Sequence, residues 1–133
     1  MNIPEHIRAF LEQPRLAVMA TINADGSPHL TVMWYDLVDD IVVLNMTRGL
    51  VKDRNLRRDP RMTICVEDGP RYVTWSGRAQ IIADRIVQEA EVTRMATRYR
   101  GPRLGAHHWR GIMDQDRLGI HMRVERMQVR GFD

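Results

Sequence analysis

Three apolar runs separated by very short turns restrict this chain more than any other feature. The runs are "RLAVMATI" (15–22), "HLTVMWYDL" (29–37) and "IVVLNM" (41–46). The first is apolar on both faces, the pattern of a strand covered on both sides. The second alternates Leu30, Val32 and Trp34 against Thr31, Met33 and Tyr35. "NADGSP" between them is strong turn chemistry: Asn, Asp and Gly tolerate positive φ, and Pro28 cannot donate to a ladder. Asp39-Asp40 forms the next turn. Strands joined by links this short must run antiparallel, as a meander.

The remainder extends that pattern. "IPEHIRAFLEQP" places Ile7, Phe10 and Leu11 at helical spacing and stops at Pro14, which predicts a short helix at one end of the core. "LVKDRNLRRD" is a second short helix, entered near Thr47–Gly49 with Thr47 as its cap and ended before Pro60. "RMTICVE" alternates Met62, Ile64 and Val66. "RYVTWSGRAQIIA" is one long strand, and Gly77 in its middle predicts a bulge, a bend or a close approach. Asp84 is placed to cap a helix whose Val92, Met95, Ala96 and Tyr99 share one face. "GPRLG" ends that helix, and "AHHWRGIMDQD" is expected to be a loop with a helical turn. The last strand changes phase: Ile120, Met122 and Val124 alternate in one register, Met127 and Val129 in the other. A bulge near Glu125–Arg126 reconciles them. The expectation is a mainly β, single-domain protein over 1–133, with about six antiparallel strands closed into a small barrel and flanked by short helices.

Composition narrows the function. The 133 residues suit one core. Lys52 is the only lysine, so the basic count of 20 is otherwise arginine, and the formal net charge is only +3. That excess suits an anionic small molecule and does not call for nucleic acid. The single cysteine, Cys65, excludes a disulfide within the chain and a thiolate metal site, and its alternating surroundings place it as a small buried hydrophobe. No apolar stretch approaches membrane-spanning length, and the start lacks a signal-peptide pattern. A cytoplasmic protein with no membrane and no nucleic-acid partner is expected.

"TRGLVK" (47–52) has the parts of a phosphate socket. A helix start offers free N–H groups, Thr47 a hydroxyl, Arg48 a planar fork and Lys52 a point charge. A solvated basic helix face would give the same pattern. Arg54, Arg57, Arg58 and Arg61 spread around the helix and its exit, where Asp53 and Asp59 can pair with them. His107 and His108 are adjacent and cannot share one helix face, so they do not make a metal pair, and no other metal or hydrolase spacing exists. Trp34 and Trp75 lie on strand patterns and suit a core, a subunit interface or a ring contact. Trp109 falls in the expected loop, where it could cover a pocket.

Taken together, "ATINADGSPHLTVMWYDL", "IVVLNMTRGLVKDRNLRRDPRMTICVED", "YVTWSGRAQII" and "HMRVERMQVRGFD" resemble the pyridoxamine 5′-phosphate oxidase-like split β-barrel proteins. Within these they are similar to the flavin/deazaflavin oxidoreductases of the F420-dependent subgroup. The resemblance implies a homodimer with cofactor sites at the subunit interface. It implies that Asn45, Met46, Thr47, Arg48, Leu50, Val51 and Lys52 hold the cofactor phosphate. Thr31, Val32, Met33 and Trp34 would contact the ring, and Trp75, with Ser76 and Gly77, would reach over from the partner subunit. The implied activity is hydride transfer between reduced F420 and a small acceptor such as an enone, quinone or tetrapyrrole. An FMN-binding oxidoreductase and a non-catalytic carrier or sensor are the alternatives. No side chain is assigned as acid or base. Tyr35 and His108 are the groups that could return a proton.

Overall fold

The computed structural model describes residues 2–133. Among the described residues there are eight strands and four helices. The helices are α1 (Glu5–Glu12), α2 (Val51–Arg58), α3 (Arg85–Arg100) and α4 (Pro102–Ile112). The strands are β1 (Ala17–Ile22), β2 (Pro28–Met33), β3 (Asp36–Val38), β4 (Ile41–Thr47), β5 (Arg61–Asp68), β6 (Arg71–Ile82), β7 (Arg117–Arg123) and β8 (Arg126–Arg130). All pairings are antiparallel, in the order β2-β1-β5-β6-β7-β4-β3, with β8 also on β6.

Six expected strands become eight because two of them break. "HLTVMWYDL" is not one strand. It divides at Trp34–Tyr35 into β2 and β3, which are the two opposite ends of the sheet order. One short covalent corner therefore joins both edges and curls the sheet into a split barrel. α3 pins that corner: Arg98 donates to the carbonyls of Tyr35 (2.6 Å) and Leu11 (2.7 Å). The Tyr99 hydroxyl donates to the Arg15 carbonyl at 2.6 Å and accepts from the Tyr35 N–H at 3.2 Å.

The second break is the phase change in the last strand. β7 pairs with residues 79–82 of β6, and β8 pairs with residues 72–76. Between those ladders two residues of β6, Gly77 and Arg78, face three, Arg123–Glu125. That is the one-residue bulge expected at this place. Gly77 is needed there because a Cβ would run into the Arg123 carbonyl and approach Met122 Cγ to 2.8 Å.

The core fills the curled sheet. Met19, Ile64, Trp75, Leu44, Ile120 and Met122 are wholly buried, and Ile7 and Leu11 of α1 close one end. Asp84 caps α3 as expected, accepting from the N–H groups of Ile86 (2.8 Å) and Val87 (3.0 Å). Two expectations fail. "PRLGAHHWRGI" is a regular helix, not a loop, and it begins immediately after α3. Gly105 lets the two helices touch, since a Cβ there would overlap the Thr97 backbone. Cys65 is only half-buried, because it lies opposite Val18 and Thr74 on the outward row of the sheet.

Candidate functional site

The end of β4, the end of β2, the start of α2 and the start of β7 converge. Register places Thr47 opposite Arg117 and Asn45 opposite Gly119. From β7, Arg117 Nε donates to Asn45 Oδ1 at 2.7 Å, and Nη1 reaches Gln115 Oε1 at 2.6 Å and Thr47 Oγ1 at 3.3 Å. From α2, Lys52 Nζ donates to Thr31 Oγ1 at 3.4 Å and approaches Met33 Sδ at 3.2 Å. Lys52 is only 8% exposed.

Electrostatically the site favours a negative group. Burial, and then the Arg117 charge, push the Lys52 ammonium below its ordinary pKa. Burial lowers that of Arg117 too. Both shifts disfavour a buried cation without a counter-charge. Among the described residues no carboxylate forms an ion pair with either group. A bound phosphate would supply the missing charge and accept from Lys52 Nζ, the Arg117 guanidinium and the Thr47 hydroxyl.

Beside this pair opens a cleft of about 190 Å³. Val32, Met33, Trp34, Asn45 and Arg117 line it from the barrel, and Val92, Met95, His108 and Ile112 from the α3–α4 pair. Trp34 stacks on Tyr99 (centroids 4.9 Å apart, planes 7° apart), and the His108 ring lies 5.3 Å from it. Its lining mixes apolar side chains with the polar groups of Asn45, His108 and Arg117, which suits a small molecule that carries both kinds of surface.

Most of the anticipated residues gather here, with changes of role. Thr31, Val32, Met33, Trp34, Asn45, Thr47 and Lys52 surround the pair or the cleft. Thr47 is the last residue of β4 and not a helix cap; Leu50 occupies the cap position. The Asp53 carboxylate reaches back to the Gly49 N–H at 2.8 Å, so the helix start already holds a negative group. Arg48 points its guanidinium at Asp116 (2.9 Å), leaving Arg117 as the arginine beside Lys52. Leu50 and Val51 are 43% and 38% exposed at the rim, while the Met46 side chain is in the core. Trp75 is also displaced from the expected set. It is fully buried, edge-on to Tyr35 at 5.8 Å, and its side chain cannot reach a ligand. Tyr35 is equally buried and donates to the Leu11 carbonyl at 2.6 Å, so it cannot return a proton to anything in the cleft.

The other arginines of the basic segment are structural. Arg57 pairs with Asp53 (2.7 Å) and Arg61 with Asp59 (2.8 Å). Arg58 bonds the Ile22 carbonyl and Asn55. Trp109 faces inward on α4 beneath Arg85, away from the cleft. Arg117 and the α3–α4 wall have no signal in the sequence beyond their place on a strand and an amphipathic helix. Among the described residues no group of three or more His, Cys, Asp or Glu converges to hold a metal.

Comparison with known proteins agrees with the architecture. An F420H(2)-dependent biliverdin reductase of Mycobacterium tuberculosis is 36% identical over 98 residues, 71% of each chain. The crystal structure of a conserved hypothetical protein from Mycobacterium tuberculosis superimposes with a TM-score of 0.85 at 30% identity, covering 96% of this chain and 84% of that one. A solved F420 reductase gives 0.75 at 25% identity, covering 95% and 98%. The pyridoxamine 5′-phosphate oxidase family matches residues 3–131. A curled antiparallel sheet with a cation pair drawn from one helix and one strand, and a cleft at its broken corner, is thus the form that family takes here, and the chain belongs to it.

Proposed function

We propose that this chain is an F420-dependent oxidoreductase acting on a small conjugated acceptor, such as an enone, a quinone or a tetrapyrrole-like compound. The observation that carries the reading is the Lys52–Arg117 pair, a buried lysine beside a half-buried arginine with no carboxylate paired to either among the described residues, at one end of a small cleft. An anionic cofactor phosphate fits that pair. The F420H(2)-dependent activity of the 36% identical relative favours the deazaflavin over FMN. Bound F420 would supply hydride transfer at its ring carbon.

The chain's own residues supply the rest. Lys52, Arg117 and Thr47 hold the phosphate. The Thr31–Trp34 stretch, on the free edge of β2, offers unpaired backbone groups to a flat ring. Val92, Met95 and Ile112 exclude water from the cleft.

A homodimer belongs to this reading. The outward row of the sheet exposes Val18 (37%), Leu30 (60%) and Val32 (63%), and register aligns Val32 with Val18 and Cys65. Covering that apolar row with a second copy would enclose the open side of the site. Titrating the purified protein separately with F420 and with FMN, by fluorescence, tests the cofactor assignment. Saturable F420 binding with weaker or no FMN binding is expected, and the reverse order would overturn it.

A further inference from the structure

We propose that His108 is a fixed neutral hydrogen-bond donor, presenting Nε2–H to the carbonyl oxygen of the acceptor. The proposal rests on the F420-dependent reading above and names the group that selects the acceptor.

The tautomer follows from one contact. Arg100 Nη1 lies 3.0 Å from His108 Nδ1. A guanidinium has donors and no acceptor, so Nδ1 must carry the lone pair and the ring proton sits on Nε2. No hydrogen bond engages Nε2 among the described residues.

Position follows from the two clefts that share this ring. Arg100 lines an outer hollow with Leu104 and His107, and does not line the 190 Å³ cleft. The Nδ1 edge is therefore turned outward, while the ring also borders the inner cleft beside Trp34. The Tyr99–Trp34–His108 series comes from α3, the β2–β3 corner and α4, so the ring is held from three elements.

Asn45, another polar group of the cleft, is engaged on both sides of its amide. Asn45 donates to Gln88 Oε1 at 3.0 Å and accepts from Arg117 at 2.7 Å. Arg117 is held by Asn45, Thr47 and Gln115, and under the F420-dependent reading its guanidinium is assigned to the phosphate. The charged groups facing His108 are Arg100 from α3 and Arg117 from β7. Burial first, and then these two charges, oppose a second proton, so the imidazole is held below its ordinary pKa.

The chemistry requires such a donor. When hydride from a reduced deazaflavin forms a C–H bond at the carbon β to a conjugated carbonyl, the C=C π pair shifts and the oxygen becomes an enolate. The deazaflavin is oxidised and the acceptor reduced by two electrons. Water then protonates the enolate carbon. A donor aimed at the oxygen stabilises the charge as it develops. His108 gives up no proton and need not titrate.

The test combines a structural and a kinetic readout. In ¹⁵N NMR of the free protein, Nδ1 of His108 should be unprotonated and Nε2 protonated across neutral pH. Adding 2-cyclohexen-1-one without cofactor should shift the Nε2–H resonance. With reduced F420, His108→Phe should lower kcat/KM for the enone by about 10- to 100-fold. His108→Gln, which keeps an N–H donor, should recover most of that loss, and the F420 Kd should change far less than kcat/KM in both. A proton on Nδ1, no shift with the enone, or full enone turnover in His108→Phe would overturn the proposal. Failure of the wild type to bind F420 while the NMR results hold would instead overturn the cofactor reading.

Discussion

Lys52 and Arg117 come from a helix and a strand 65 positions apart and face the same space, and among the described residues no carboxylate pairs with either. The arrangement is costly for the free protein and useful to a protein that binds an anion. Removing one cation should therefore weaken the cofactor sharply. Lys52→Ala and Arg117→Ala should each cost about 1.5–3 kcal/mol of F420 affinity, the range for a hydrogen bond to a charged group. Fluorescence titration reads this as roughly a 10- to 100-fold rise in Kd. Arg48→Ala, whose guanidinium is engaged by Asp116, should change Kd far less.

The same pair makes an opposite prediction for stability. The folded state lowers the pKa of Lys52 below its unfolded value, so between those two values the unfolded chain binds more protons than the folded one. Below that window the charged lysine destabilises the fold, and the penalty disappears as pH rises through it. Lys52→Met should raise the melting temperature at pH 7, by an amount corresponding to about 1 kcal/mol. Inorganic pyrophosphate should stabilise the wild type and not the variant. A lower Tm in Lys52→Met would show that the ammonium is satisfied in the free protein.

Tyr35 titrates in the other sense. Burial is the main cause of a phenol pKa pushed up to about 12, opposed by the nearby Arg98. Above pH 10 the unfolded chain loses this proton and the folded chain keeps it, so stability falls from about pH 10 toward pH 12. Tyr35→Phe removes that component of alkaline destabilisation. It should also cost about 1 kcal/mol near neutrality, through loss of the bond to the Leu11 carbonyl. Turnover in the variant should keep the wild-type pH profile, since this hydroxyl does not reach the cleft. A changed profile would return Tyr35 to the site.

The sequence carried the fold at its turns and phase changes. "NADGSP", the Asp84 cap and the slip between Val124 and Met127 were each legible because local geometry decides them. The break at Trp34–Tyr35 was not, because alternation continues smoothly through it and only the closure of the barrel requires a corner. α4 was hidden for a related reason. Gly101 and Gly105 look like helix breakers in one dimension, whereas Gly105 is a contact point for Thr97 in three. At the site, Lys52 stood out as the only lysine. Arg117 was one arginine among nineteen until register set it opposite Thr47. Trp75 was misplaced by analogy with relatives, although strand alternation put it in phase with Val73 and thus with the core.

The outward row of the sheet gives the last prediction. Leu30 is 60% exposed and stands opposite Ala20 on β1, one step along from the Val32–Val18 pair. Its side chain is not part of the core, so a charge there is inexpensive for the monomer. It is expensive if a second copy covers the row, because a buried unpaired carboxylate is strongly disfavoured. Leu30→Asp should leave the circular dichroism spectrum and monomer fold intact while shifting sedimentation from about 31 kDa, twice the 15.5 kDa chain, to the monomer mass. F420 affinity should fall with it if a second copy encloses the open side of the site, as proposed above. A wild type that sediments as a monomer, or a Leu30→Asp variant that stays dimeric, would remove this face from the assembly.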